Sequence, residues 1–491
     1  MNRTPLSRRT LLTGAAATVI GYNTTTRTWA TTDTPTRGRI TPLPPIQGTL
    51  TTNPTTRNTH AHDFGRLTTN TPYAVLHPAG APDIATIIDF ARRNNLKVAM
   101  NGQSGTGNDL ESHSNYGQAG VAGGISINAR ALNRIHTITP TNATVDTGVT
   151  WAQLTEATLA QNLTPPALTD YLHLSIGGTI SIGGIGSTVH KHGLQADTVE
   201  AIEIVTGTGR ILTATPTRNP DLFHTALAGA GQVGIITKAT LKLVPAPQNA
   251  RILTLTYTDQ HTFLTDQQTI LNDGRFPSQT GEILIQPNGQ PPHYKIEAVT
   301  HYNTTPPNPT PLLTGLNPTT TTITDQTYRE YTYRADTFAD TIKNLGYWNT
   351  PKPWLSLFLP ATTTPTFLNH TLPQLTPDDI GPGLLLCYPF HTNKLTHPLA
   401  ITPNEPITYL FDLLAFPNPT TTNPTTHLTR NRNLYNTATQ LGAKRYLVGA
   451  IPNMTPTDWQ HHYGPHWTTL TNAKNTYDPT HTLTPGHNIF P

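Results

Sequence analysis

The run Leu168-Thr169-Asp170-Tyr171-Leu172-His173-Leu174-Ser175-Ile176-Gly177-Gly178-Thr179, followed by Ile182-Gly183-Gly184-Ile185-Gly186, constrains this chain more than any other stretch. Lacking Cβ atoms, a backbone with this glycine density can approach a large planar or phosphorylated ligand closely. One carboxylate, Asp170, stands just upstream of the glycines. The combination predicts a cofactor cradle with an acid or base at its mouth.

The surroundings read as mixed α and β structure. From Tyr73 the pattern is strand (Ala74-Val75-Leu76), helix (Pro82 to Asn94) and strand (Lys97 to Met100). In the helix, Ile84, Ile87, Ile88 and Ala91 share one face, and Pro82 suits its first turn. Thr150-Trp151-Ala152-Gln153 has capping-box spacing and predicts a helix ending before Pro165-Pro166. Gly124 to Ile127 reads as a strand, and Ala201 to Val205 with Arg210 to Leu212 as a hairpin.

Gly229-Ala230-Gly231-Gln232-Val233-Gly234 satisfies the dinucleotide fingerprint GxGxxG, which needs a strand before it and a helix after it. Here a helix start, Asn219-Pro220-Asp221, precedes the glycines, and an alternating strand pattern from Ile235 to Val244 follows. The reversed order argues against a nicotinamide Rossmann site. Pro245-Ala246-Pro247 marks a domain boundary. Beyond it Arg251 to Tyr257 and Glu282 to Gln286 alternate, and the Thr/Pro/Asn-rich stretch 303–322 reads as an exposed loop.

A chain of 491 residues exceeds one ordinary core, so two domains are expected. The net charge of +3 comes without any basic run, which argues against a nucleic-acid partner. Ser7-Arg8-Arg9-Thr10-Leu11-Leu12 sets twin arginines ahead of an apolar stretch from Leu11 to Ile20, the pattern of a signal that exports a protein already folded around a cofactor. The stretch is too short for a membrane anchor, and cleavage is expected near Ala30. The single cysteine, Cys387, permits no intrachain disulfide and sits in an apolar run expected to be a buried strand. His461-His462 and the pair His190 and His192 have no carboxylate at ligand spacing, so no metal site is expected.

Thr169-Asp170-Tyr171-Leu172-His173-Leu174-x-x-Gly177-Gly178-Thr179 resembles the segment that cytokinin dehydrogenases place between their flavin and their amine substrate. The resemblance continues through Lys191-His192-Gly193, Val205-Thr206-Gly207, Asp221 to His224 and Gly229 to Thr237, and returns in the tail from Trp459 to Pro485-Gly486-His487-Asn488-Ile489-Phe490. It extends from about Asp63 to the C-terminus. It implies an α+β, two-domain p-cresol methylhydroxylase-type FAD-binding fold, shared with vanillyl-alcohol oxidase. The FAD-binding domain would span 60–245, after a signal at 1–30 and a linker at 31–59. An α+β substrate domain, an antiparallel sheet covered by helices, would span 246–454, and 455–491 would return to complete the FAD-binding domain.

FAD is the implied cofactor. The family's Gly-x-Gly-His-Ser segment aligns with Ser112-His113-Ser114-Asn115-Tyr116-Gly117-Gln118, making His113 the implied site of covalent flavin attachment. The preceding loop, Asn101 to Glu111, is longer than the family's. Aligning its early glycines instead puts Gly105 at the histidine position and leaves the flavin noncovalent. In either register Gly102, Ser104, Gly105 and Ser114 suit an anionic pyrophosphate, and the same alignment implies Gly117 and Gln118 as further cofactor contacts. A second, cysteinyl flavin bond of the berberine bridge enzyme type is excluded, since the flavin domain has no cysteine.

The resemblance makes Asp170 the catalytic base, accepting the N–H proton as the neighbouring carbon loses hydride to flavin N5. An exposed aspartate, with a pKa near ~3.9, is a poor base for an amine, so burial among aromatic and aliphatic neighbours is expected to raise it. Gly177, Gly178, Thr179 and Gly183 are implied to pass close to the flavin or its diphosphate, Ile236 to offer backbone groups near the adenine, and Tyr446 to lie near the flavin. His487 stands where the family has glutamine, and Leu395 where it has a substrate-side tryptophan. The implied function is an exported FAD-dependent oxidoreductase acting on a C–N bond of a secondary allylic amine, with oxygen or a quinone as electron acceptor and no membrane anchor. The alternatives are an oxidase of sugars or other alcohols on the same flavin domain, and a flavin-binding protein without turnover.

Overall fold

The computed structural model describes residues 19–23, 25–26, 28–32, 40–102, 104–106, 110–418, 420 and 423–490. The twin arginines Arg8 and Arg9, and residues 103 and 107–109 of the loop before His113, lie outside the described residues.

Two larger sheets build most of the first half. In the smaller, Ala74–His77 and Val98–Asn101 both run parallel to Ile125–Asn128, with Thr49–Thr51 as an antiparallel edge. The apolar face of the helix Ala81–Arg93 packs on it through Ile84, Ile87, Ile88 and Ala91, all fully buried. The five-stranded antiparallel sheet has the order Ile211–Ala214, Val199–Thr206, Gly234–Lys242, Asn142–Asp146 and Ile135–Ile138. The capping box at Thr150 opens the helix Trp151–Leu159. The GxGxxG segment has the helix Pro220–Ala226 before it and the strand Gly234–Lys242 after it, the reverse of a dinucleotide-binding turn.

The second half is dominated by an eight-stranded antiparallel sheet from Asn249 to Arg445. Its strands Leu355–Pro360, Leu384–His391 and Ile407–Leu414 read as nearly continuous apolar runs because both faces are buried, whereas Asn249–Tyr257 and His293–Tyr302 alternate. Along Leu384–His391, Leu385 and Cys387 join the core with Phe263 and Ile270 of the helix Gln260–Asp273, and with Leu434 and Tyr435 of Pro424–Gln440. Leu386, Tyr388 and Phe390 turn toward the first half. Cys387 is accordingly a core side chain.

The chain then returns. Tyr477 hydrogen-bonds Asp221 at 2.6 Å, Lys474 is fully buried against Gln232 and Asp478, and the amide of Thr484 donates to Val98 in the small sheet.

Two regional expectations need correction. Residues 31–59 are not simply a linker: Thr49–Thr51 pairs into the small sheet, and the Asp83 carboxylate accepts the amides of Gln47 and Gly48 at 2.8 and 2.7 Å. The stretch 303–322 is not all loop, since Pro309–Leu313 is helical and Thr320–Thr327 forms the edge strand of the large sheet. Near the N-terminus, Val19–Asn23 pairs with both Thr28–Thr31 and Ile40–Pro42. Ala30, near which cleavage is expected, is fully buried there, and Trp29 stacks on Phe90.

Candidate active site

The glycine run folds into a short helix, Ile176–Ile182, although glycine is a poor helix former. External contacts hold it: Ile176 and Gly177 donate their amides to Val149 and Thr147, and the amides of Ala228 and Ala230 donate to Ile180 and Ser181. A Cβ on Gly177 would lie 2.8 Å from that of Thr147, so only glycine fits this approach. At the helix end, Gly183 (φ +115°) and Gly184 (φ +75°) take conformations that favour glycine. The Tyr446 hydroxyl, from the far domain, accepts the amides of Gly184 and Ile185 at 3.0 and 3.2 Å.

The helix forms one wall of a cavity of about 370 Å³ between the two halves. Gly177, Gly178 and Thr179 line it from the helix, Gly102, Ser104, His113, Ser114 and Gln118 from the loop side, and Ile236 from the five-stranded sheet. Tyr446 and His487 close it from the C-terminal part, and Asp170 also lines it. Gly105, Gly117 and Gly183 do not, which corrects their expected cofactor contacts. The amides of Gly105 and Gly117 are committed to the His173 carbonyl and the Asp63 carboxylate, and Gly183 packs against Leu194. Nor does Leu395 reach the cavity; it packs at the edge of a core cluster. Gln118 lines the cavity, but its side chain is used internally, accepting from Asn115 and donating to Val448. The Ile236 carbonyl accepts the Thr147 hydroxyl at 2.6 Å.

His113 stacks on Phe64 with centroids 4.6 Å apart and on Tyr171 at 5.5 Å. Its Nε2 is buried and has no hydrogen-bond partner. Burial, reinforced by the Lys352 charge, pushes the imidazole down to about 3, so the ring is neutral at ordinary pH. Its loop is anchored by buried charges that have no local sequence signature. Asp63 accepts from the Ser114 hydroxyl and the Gly117 amide. Glu111 lies 2.8 Å from Arg66, as an ion pair without hydrogen-bond alignment. The fully buried Lys352 ammonium donates to the carbonyls of Phe64, Trp348 and Thr350. Burial pushes Glu111 up and Lys352 down.

Asp170 is not buried among apolar groups as expected. Its side chain is 37% exposed and is paired with Arg334 at 2.5 Å. Arg334 lies over the Tyr331 ring at 4.2 Å and reaches Glu297 at 3.5 Å. Burial alone would lower its pKa, but Tyr331, Asp170 and Glu297 more than compensate and keep the guanidinium charged. Arg334 and Glu297 were not legible beforehand, because they come from a helix and a strand more than a hundred residues from Asp170. A second carboxyl in the cavity, Asp412, accepts the Ser356 hydroxyl at 2.5 Å. Burial, and then the Asp170 charge, push it up to about 7 against that hydrogen bond.

Comparison with known proteins gives two family matches: residues 72–215 match "FAD binding domain", and residues 276–490 match "Cytokinin dehydrogenase 1, FAD and cytokinin binding". An "uncharacterized oxidoreductase ORF5 in fasciation locus" of Rhodococcoides fascians is 33% identical over 87% of this chain and 95% of its own length. Cytokinin dehydrogenase 4 of Oryza sativa subsp. japonica is 31% identical over 88% of each chain. Cytokinin dehydrogenase 2 of Arabidopsis thaliana is 29% identical over 90% of this chain and 93% of that protein. The residues present fit FAD. Glycine surfaces that a Cβ would crowd, the Ser104 and Ser114 positions and a neutral imidazole with an unpartnered nitrogen all meet in one cavity.

Proposed function

Because the chain belongs to the cytokinin dehydrogenase family and is an FAD-dependent oxidoreductase, we propose that it oxidises the C–N bond of a secondary allylic amine, with Asp170 as the base. FAD supplies the hydride acceptor at N5. Asp170 takes the proton from the substrate nitrogen as the adjacent carbon gives up its hydride, leaving an imine that water splits into an aldehyde and a free amine. Arg334 holds the receiving carboxylate in place, and the glycine helix and the His113 loop line the same cavity. For a cytokinin the products are adenine and an aldehyde.

The observation that carries this reading is the position of Asp170, on the cavity wall and fixed by Arg334, in the same chamber as the glycine helix and His113. The leucines of the large-sheet wall favour an apolar substrate body over a sugar. His113, with its open nitrogen, is the attachment point for a covalent flavin, and acid precipitation that releases all flavin contradicts this. Electrons leave to oxygen or a quinone, which reoxidation rates with each acceptor distinguish. Export by the twin-arginine route rests on Arg8 and Arg9, and is checked by fractionation with and without that pair.

The deciding experiment is an anaerobic visible spectrum before and after adding isopentenyladenine, then sugars and aromatic alcohols. Bleaching of the flavin band by the amine, abolished or slowed by about 100-fold or more in Asp170→Asn, is expected. Bleaching by alcohols alone moves the function to alcohol oxidation.

A further inference from the structure

The large sheet offers the cavity three cross-strand pairs: Leu384 with Leu414, Leu386 with Asp412, and Tyr388 with Leu410. Four of these six side chains are leucine, and the carboxyl sits at the centre. A carboxyl in an apolar wall carries a desolvation cost that a leucine would not. The sheet does not need it: the strand is paired on both sides by backbone ladders, to Leu355–Pro360 and to Leu384–His391. Oδ1 accepts from Ser356, and the carboxyl retains hydrogen-bonding capacity toward the cavity it lines.

We propose that Asp412 is a substrate-binding residue whose carboxyl hydrogen-bonds a ring-nitrogen edge on the flat body of the substrate, away from the bond being oxidised. It thereby selects nitrogen heteroaromatics over hydrocarbons of the same shape. The inference rests on the amine-oxidation reading for placing the reacting bond at Asp170. A protonated carboxyl presents a donor and an acceptor side by side, matching a ring nitrogen next to an N–H. A site built this way discriminates against a ligand without the nitrogen, because the carboxyl is then left unpaired in an apolar wall. The groups facing it are Asp170 with its Arg334 and Glu297 partners, and the Tyr388 and Tyr446 hydroxyls. Burial raises both tyrosines, so their hydroxyls stay protonated and uncharged. Binding that needs the protonated carboxyl weakens as pH rises through about 7.

The test is equilibrium binding to the oxidised, flavin-loaded enzyme by calorimetry, with adenine and 1-aminonaphthalene as probes, so that turnover is not required. Asp412→Leu is expected to weaken adenine by about tenfold or more and 1-aminonaphthalene by less than about twofold. Asp412→Asn, which keeps a donor and an acceptor, should stay within about threefold of the wild type for adenine and lose the pH dependence. Equal shifts for both probes, or none for adenine, overturn the proposal. Flavin absorbance per protein and a thermal melt establish that Asp412→Leu is folded. If it is not, the pH profiles of wild type and Asp412→Asn decide, and identical profiles overturn the proposal. Failure of the amine-oxidation reading shows separately, as absence of bleaching by isopentenyladenine in the wild type.

Discussion

At the scale of single residues, the catalytic geometry turns on the pair Asp170 and Arg334. An aspartate 37% exposed is screened by water, so removing its partner costs little stability, about 1 kcal/mol or less. It costs more in kinetics, because a base must be held within reach of the proton it takes. Arg334→Gln is expected to lower kcat about 10- to 100-fold with KM and flavin content nearly unchanged, and Arg334→Lys to recover part of the loss. Steady-state kinetics with a flavin spectrum check this, and a change confined to KM would assign Arg334 to substrate binding instead. The sequence makes Asp170, His113 and Tyr446 visible because each stands in a motif. It hides Arg334, Glu297, Lys352 and Asp412, since a carboxylate's partner is chosen in space. Asp63 stands near Lys352, which belongs to the other domain nearly three hundred positions along the chain, and no local pattern registers that contact.

At the scale of elements, period-based reading worked wherever one face of a strand or helix was buried. The helix Ala81–Arg93 and the hairpin of Val199–Thr206 with Ile211–Ala214 lie where their apolar patterns put them. It failed at Thr320–Thr327, whose threonine-rich sequence lies exposed along a sheet edge and so shows no alternation. It was silent on Ile176–Ile182, because two glycines argue against a helix that exists through contacts with Thr147, Val149, Ala228 and Ala230. The end of that helix depends on the far domain. Tyr446→Phe leaves the Gly184 and Ile185 amides without their acceptor, at an expected cost of about 1–3 kcal/mol. A melt should show the lower stability together with weaker flavin retention. Loss of stability with full flavin retention would confine Tyr446 to domain packing.

At the scale of the molecule, the fold keeps an unusual number of histidines neutral. Burial is the leading cause in each case: His60, His190 and His301 are lowered to about 4, His113 and His487 to about 3, and His462 well below its ordinary value. Between those values and 6.5 the unfolded chain binds protons that the folded chain excludes, so stability falls as pH drops through this window. Three carboxyls work the other way. Asp63, Glu111 and Asp412 are raised by burial, hold protons in the fold that the unfolded chain releases, and gain stability on acidification. Six histidines against three carboxyls leave a net excess of about three protons, or roughly 4 kcal/mol per pH unit at its steepest. The protein is therefore expected to lose stability steadily from about pH 6.5 to 5, well above the range where exposed carboxylates protonate. Urea midpoints across that range measure it directly. Replacing His190, whose Nε2 lies 2.9 Å from the Phe276 carbonyl, with glutamine should flatten the slope by about one proton. Stability that is constant or rises on acidification would mean that the carboxyls, not the histidines, set the balance.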